Sequence, residues 1–136
     1  MKALAYSSYN KILRFILLQA YYTIAGRDLK RELVPLLNDQ KVGLMVWSLL
    51  AGGLLSGKCS CQEENSVDGR RANFDFPPVN RERVFDVIDI LQPMAAGKNA
   101  TVAQLAWLLY QQAVTTVIIG ANKMEQLDDN LKIYRH

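Results

Sequence analysis

Three short apolar runs punctuate the chain: Phe15-Ile16-Leu17-Leu18, Val42-Gly43-Leu44-Met45-Val46-Trp47 and Thr116-Val117-Ile118-Ile119. None of them alternates polar with apolar residues. Continuous apolar runs of this length are the pattern of strands buried on both faces, as in a parallel sheet. Between and after them the spacing becomes helical. Leu29, Leu33, Leu36 and Leu37 share one helical face, with Asp28 placed to cap the helix and Pro35 placed to kink or stop it. Val84, Val87, Ile88 and Leu91 predict a second helix, disturbed by Pro93 and closed by Gly97. Thr101-Val102-Ala103-Gln104 has the form of a capping box and opens a third, through Val102, Leu105, Ala106 and Leu109. Met124, Leu127, Leu131 and Tyr134 lie along one side of a last helix.

The predicted order is strand, helix, strand, long loop with helices, strand, helix. Parallel strands joined by crossover helices belong to the α/β class. At this level a doubly wound sheet and a segment of an eight-stranded β/α barrel both remain open. Either way, three parallel strands leave two outer edges that need covering or pairing. The stretch from about Leu49 to Asn80 is long for a connection in a compact domain, and such loops commonly carry function. A length of 136 residues, free of repeats and low-complexity tracts, predicts one domain over 1–136.

Charge and composition narrow the partners. A net charge of +3 with scattered basic residues argues against nucleic acid or an anionic membrane surface. The longest apolar candidate, Leu13 to Tyr22, contains Arg14 and Gln19 and falls short of the roughly 20 residues that a membrane span requires. The first residues lack the order of a secretory leader, and Cys59 and Cys61 stand too close for an ordinary disulfide framework. Both features predict a reducing, cytoplasmic compartment. The single histidine is the terminal His136, so no four-ligand metal site is expected.

The candidate chemistry begins where the second apolar run ends. Val46-Trp47-Ser48-Leu49-Leu50-Ala51-Gly52-Gly53-Leu54-Leu55-Ser56-Gly57-Lys58 places a small, glycine-containing loop directly after a strand. Loops of this kind bind ligands in α/β proteins because backbone amides approach closely there. It is neither a P-loop nor a G-x-G-x-x-G fingerprint. By spacing alone, a flexible turn whose glycines serve only its geometry is favoured over a phosphate site.

This stretch resembles the W-S-P-L-A-G-G-x-L-S-G-K segment of aldo-keto reductases, in particular the branch that includes bacterial enzymes and potassium-channel β-subunits. Gln19-Ala20-Tyr21-Tyr22, followed by Gly26-Arg27-Asp28, is similar to the family's Q-x-x-Y-S-L-x-x-R-D. Gly69-Arg70-Arg71 resembles its basic S-R loop, and Val117 to Asn130 resembles V-I-I-G-A-x-x-x-E-Q-L-x-E-N. The ordered motifs cover at least Gln19 to Leu131.

The resemblance implies a partial (β/α)8 TIM barrel, about the last three β/α units. Met1 to about Tyr9 would correspond to the helix after the fifth strand. It also implies a nicotinamide cofactor, NADP(H), bound at the C-terminal strand ends. Gln19 matches the glutamine that holds the carboxamide, a task suited to a side chain with both donor and acceptor. Trp47 matches the aromatic residue stacked on the nicotinamide. Ser48, Leu50 and Ala51 match the pyrophosphate side, and Lys58 and Arg71 match the loop that folds over the phosphates. Gly120, Asn122, Gln126, Asp129 and Asn130 match the adenosine end, where a helix N-terminus favours a 2′-phosphate.

Two departures from the family pattern stand out. Leu49 replaces the usual proline, and Asn122-Lys123 replaces patterns that place arginine or serine beside the 2′-phosphate. The family's catalytic tyrosine, lysine, aspartate and histidine come from the first part of the barrel, and none maps onto this chain. Read this way, the chain is a truncated aldo-keto reductase, inactive alone, that self-associates or meets a complementing chain. The alternative is a non-catalytic module that binds the nicotinamide cofactor or a protein partner.

Overall fold

In the computed structural model, the described residues are 1–56, 79–97, 107–121 and 123–132. The predicted helix from Thr101 therefore lies largely outside them, and so does Tyr134. The elements in chain order are α1 (Lys2–Tyr9), β1 (Leu17–Tyr21), α2 (Leu33–Gln40), β2 (Gly43–Trp47), α3 (Arg81–Gly97), β3 (Val114–Val117) and α4 (Met124–Leu131). Short 3₁₀ turns cover Asp28–Lys30, Ala51–Ser56 and Trp107–Tyr110. The three strands form one parallel sheet in the order β1-β2-β3. Helix α2 joins the first pair and α3 lies between the second pair, the connection that parallel neighbours require.

The outer strands lie about two residues from where the apolar runs place them, β1 later and β3 earlier. At β1 the first part of the run stays outside the sheet, and Phe15 and Ile16 are exposed. Gly43 N–H still donates to the Ile16 carbonyl at 2.8 Å. At β3 the cause is a bulge. Leu44 pairs with Val114 and Met45 pairs with Thr116, so Thr115 is the extra residue. Its hydroxyl accepts the Leu44 N–H at 3.1 Å, which keeps a ladder donor satisfied where the register slips. Two threonines at the start of β3 conceal this strand from a reading based on apolar runs.

Burial is one-sided rather than two-sided. Along β2, Leu44 and Val46 are fully buried while Gly43, Met45 and Trp47 are half-buried. The register sets Leu18 and Ala20 beside Leu44 and Val46, and Gln19 and Tyr21 beside Met45 and Trp47. Leu4 of α1, Leu37 of α2 and Leu108 cover the first face, and with Tyr22 and Val42 they make the main core. Neither hydrophobic cluster contains Gln19, Tyr21, Met45 or Trp47. Alternation along a strand thus separates a packed face from a face that carries the candidate site.

Helix α2 starts four residues later than the Asp28 cap predicts, after the 3₁₀ turn at Asp28–Lys30. Pro35 does not kink it. As the third residue of α2 it sits in the first turn, where its missing N–H has no intrahelical partner to lose. The helix ends on Lys41 in the left-handed region (φ 52), with Val42 N–H donating to the Leu37 carbonyl at 2.9 Å. Helix α3 runs through Pro93 to Gly97. Its buried Val84 and Ile88 join Ala25, Ala51, Leu54 and Leu55 in a second apolar cluster.

Candidate functional site

Parallel strands deliver their C-terminal ends to one edge of the sheet, and the candidate residues collect there. Tyr21 and Trp47 are register partners, with ring centroids 5.4 Å apart and planes tilted by 54°. Gln19 stands two residues earlier on the same face of β1 and is exposed. Ile118 N–H donates to the Val46 carbonyl at 2.7 Å, so the end of β3 emerges beside Trp47. An exposed amide side chain and a half-buried indole therefore share one open face.

The turn after β2 is strained in a specific way. Ser48 (φ 55), Ala51 (φ 51), Gly52 (φ 70) and Gly53 (φ 102) all adopt left-handed backbone. For Ser48 and Ala51 this costs roughly 1–2 kcal/mol each. Ala51 N–H donates to the Ser48 carbonyl at 2.8 Å, and Gly53 N–H and Leu55 N–H donate to the Leu50 carbonyl, each at 3.0 Å. Ala51 is fully buried in the second cluster with Leu54 and Leu55, while Leu50 packs against its margin. Burial of these residues holds the turn in a conformation the sequence alone disfavours, a pattern that concentrates at functional sites. Leu49, which stands where the family pattern has proline, packs against the main core.

Beyond β3, Gly120 is exposed, with open space where a Cβ would stand. Lys123 takes the extended conformation before α4, at the helix N-terminus. On α4, Gln126 is exposed, Asn130 is half-buried, and no described side chain is fully buried. Of Asp129 the helical backbone alone is described, and Lys58, Arg71 and Asn122 lie outside the described residues. Gln19, Trp47, Ser48, Leu50 and Ala51 thus gather at the β1–β2 ends, and Gly120, Gln126 and Asn130 follow β3 in the chain.

A second constellation escaped the sequence reading. Tyr22 is 1% exposed, and its hydroxyl has no hydrogen-bond partner among the described residues. Burial pushes its pKa above the ordinary value of 10.0, with Arg27 pulling weakly the other way. Trp107 meets Tyr22 edge-on at 5.5 Å, and the Arg27 and Lys30 cations stand 4.8 and 5.3 Å from the Trp107 ring centre. Nothing in local spacing joins Arg27 to Trp107, eighty residues on, so only the fold reveals this packing.

Among the described residues no cluster of three or more His, Cys, Asp or Glu side chains could hold a metal, and no helix is long and apolar enough to cross a membrane. Cys59 and Cys61 lie outside the described residues.

The sequence matches the profile of the Aldo/keto reductase family over residues 1–136. It is 32% identical to the uncharacterized oxidoreductase YrpG of Bacillus subtilis, over 97% of this chain and 39% of that protein. It is 33% identical to the NADH-specific methylglyoxal reductase of Escherichia coli, over 85% of this chain and 36% of that protein. A probable voltage-gated potassium channel subunit beta of Arabidopsis thaliana is 35% identical, over 82% of this chain and 36% of that protein. The chain spans less than two-fifths of the length of these relatives.

Proposed function

The chain belongs to the aldo/keto reductase family, and from that membership we propose that it supplies the nicotinamide-binding edge of an NADP(H)-dependent carbonyl oxidoreductase. The observation that carries the proposal is the joint placement of Gln19, Trp47 and the left-handed Ser48–Gly53 turn at one strand-end edge. When bound, the cofactor supplies the hydride for carbonyl reduction. Gln19 offers an acceptor and a donor to a carboxamide. Trp47, braced by Tyr21, offers a flat apolar surface that fixes which ring face is presented. The Ser48 hydroxyl faces the phosphates. Gln126, Asp129 and Asn130 read the adenosine end from α4, with Lys58, Arg71 and Asn122 completing the phosphate and ribose contacts.

The residues present fit that group. Gln19 is exposed, and the Trp47 indole shares its face of the sheet. The choice of NADP(H) over NAD(H) rests on Lys123 at the α4 N-terminus, where its charge and the helix dipole both favour a 2′-phosphate. The NADH-specific relative makes this the point to measure. The 136-residue chain contains no match to the family's catalytic tyrosine, lysine, aspartate and histidine. Carbonyl turnover requires those groups to stand beside the cofactor edge that this chain supplies, and the proposed setting is the cytoplasm. A second reading, a non-catalytic cofactor-sensing or partner-binding module, is in keeping with the channel-subunit relative.

The test is titration of the purified chain with NADPH and, separately, NADH, following tryptophan fluorescence and thermal stability, with Trp47→Ala as control. The expected result is saturable quenching with a raised Tm, tighter for NADPH, and a loss of about 2- to 10-fold in affinity when the stacking of Trp47 is removed. No response to either cofactor at millimolar concentration overturns the proposal. Equal responses in wild type and Trp47→Ala move the site elsewhere.

A further inference from the structure

A cavity of about 250 Å³ opens between the loop after β1 and the start of α3, lined by Ile24, Ala25, Arg27, Asp28, Arg31, Arg83 and Val87. Among the described residues, its lining includes none of those assigned to the cofactor edge. Its floor is apolar: Ile24, Ala25 and Val87 also belong to the second cluster, with Ala51, Leu54 and Leu55. Its rim is not. Arg27, Arg31 and Arg83 line it, and among the described residues Asp28 is the sole carboxylate in the lining.

That carboxylate does little to neutralise them. The Arg31–Asp28 pair spans 3.9 Å and both side chains are more than four-fifths exposed, so water and salt screen it. Arg27 is held in place rather than free to swing away. Its Nε donates to the Ile24 carbonyl at 2.8 Å and its guanidinium stacks on Trp107. Arg83 is fixed at its backbone by the Asn80 side chain, which accepts its N–H at 2.9 Å and secures the first turn of α3. The three arginines thus line one cavity from two separate elements, beside the positive end of a seventeen-residue helix, with the Arg27 guanidinium held in place. Like charges held in proximity are stabilised by an anion that accepts hydrogen bonds from several of them at once, and guanidinium forks match phosphate oxygens in geometry.

We propose that Arg27, Arg31 and Arg83 form a binding pocket for a phosphate dianion, either free phosphate or the head of a small phosphomonoester, separate from the cofactor edge. The volume decides the ligand class: small-molecule sites occupy about 300–1,000 Å³, so this cavity suits a phosphate with a short carbon chain and excludes a dinucleotide.

The test is ¹⁵N NMR of the full chain, reading arginine Nε–Hε signals during titration with inorganic phosphate and, separately, glycerol 3-phosphate, at matched ionic strength with chloride. Parallel titrations use Arg31→Gln and Arg83→Gln, two exposed positions whose replacement leaves both hydrophobic clusters intact, and a sample saturated with NADPH. The expected result is saturable shifts with both probes that each substitution weakens about three- to five-fold, the range of a screened ion pair, and that NADPH leaves unchanged. Tighter binding of glycerol 3-phosphate assigns the pocket to a phosphomonoester, and equal binding assigns it to free phosphate. Shifts that do not saturate, or that are the same in the variants, overturn the proposal. Displacement by NADPH overturns it too, because the pocket would then belong to the cofactor.

Discussion

Gly43, the first residue of the central strand, is the position where adding one methyl group has the clearest structural consequence. A Cβ there would stand 2.8 Å from the Thr115 hydroxyl oxygen and 2.9 Å from the Leu17 Cδ1 atom. The leucine end is exposed and moves aside at little cost. The threonine cannot do so freely, because its hydroxyl accepts the Leu44 N–H across the bulge. Turning it away leaves that donor in a buried strand without its acceptor, a loss of about 1–3 kcal/mol. Replacing a strand glycine by alanine returns only about 0.5–1 kcal/mol through reduced chain entropy. Gly43→Ala should therefore destabilise the chain by about 1–2 kcal/mol net. Urea unfolding of wild type, Gly43→Ala, Thr115→Ala and the double variant measures both the loss and its origin. Thr115→Ala already removes the acceptor, so the double variant should be more stable than the sum of the single losses implies, by about 1 kcal/mol. A neutral or stabilising Gly43→Ala, or strict additivity, refutes the bulge as the reason glycine stands there.

Relieving the left-handed backbone at Ser48 separates stability from binding: Ser48→Gly should raise stability by about 1 kcal/mol and lower affinity for NADPH, measured by urea unfolding and calorimetry. A gain in both would remove Ser48 from the cofactor edge. Tyr22→Phe keeps the ring against Trp107 and deletes an orphaned hydroxyl, so it should be neutral or stabilising by up to about 1 kcal/mol at pH 7. The two proteins should diverge further in alkali. Above the ordinary tyrosine pKa of 10.0 the unfolded chain ionises at Tyr22 while the folded chain holds the proton, so wild type loses stability as pH rises through that range and Tyr22→Phe does not. Parallel stability–pH curves for the two would contradict the burial of this hydroxyl.

The number of strands, their parallel order and the α3 face were legible, with Val84 and Ile88 buried as spaced. Leu33, Met124 and Leu131 are exposed on the helices whose apolar faces they were to form, and the helix from Thr101 lies largely outside the described residues. Strand ends were not legible. Phe15 and Ile16 are apolar yet exposed, and Val114–Val117 contains two threonines, one of them used as a backbone acceptor. Run composition cannot distinguish a strand packed on one face from a strand packed on two, since the open face carries Met45 and Trp47, residues that would also suit a core. Pro35 misled because its position in the helix, not its presence, decides whether a hydrogen bond is lost. At the site, the motif residues Gln19, Trp47, Ser48, Leu50 and Ala51 were nameable from their order, and the fold gathers them at one edge. The left-handed conformation of Ser48 and Ala51 was not legible, because neither residue type favours it and distant burial enforces it. The arginine cavity was likewise hidden, since Arg83 is separated from Arg27 and Arg31 by the whole of α2 and β2.

In the proposed cofactor edge the nicotinamide ring lies on Trp47. The chain has two tryptophans, and Trp107 sits in the main core's margin under Arg27 and Lys30. Intermolecular nuclear Overhauser effects between bound NADPH and the indole protons distinguish them directly. Effects from the nicotinamide ring protons to Trp47, and none to Trp107, are the predicted result. Effects to Trp107 alone, or no effects to either indole under saturating cofactor, would contradict the claim.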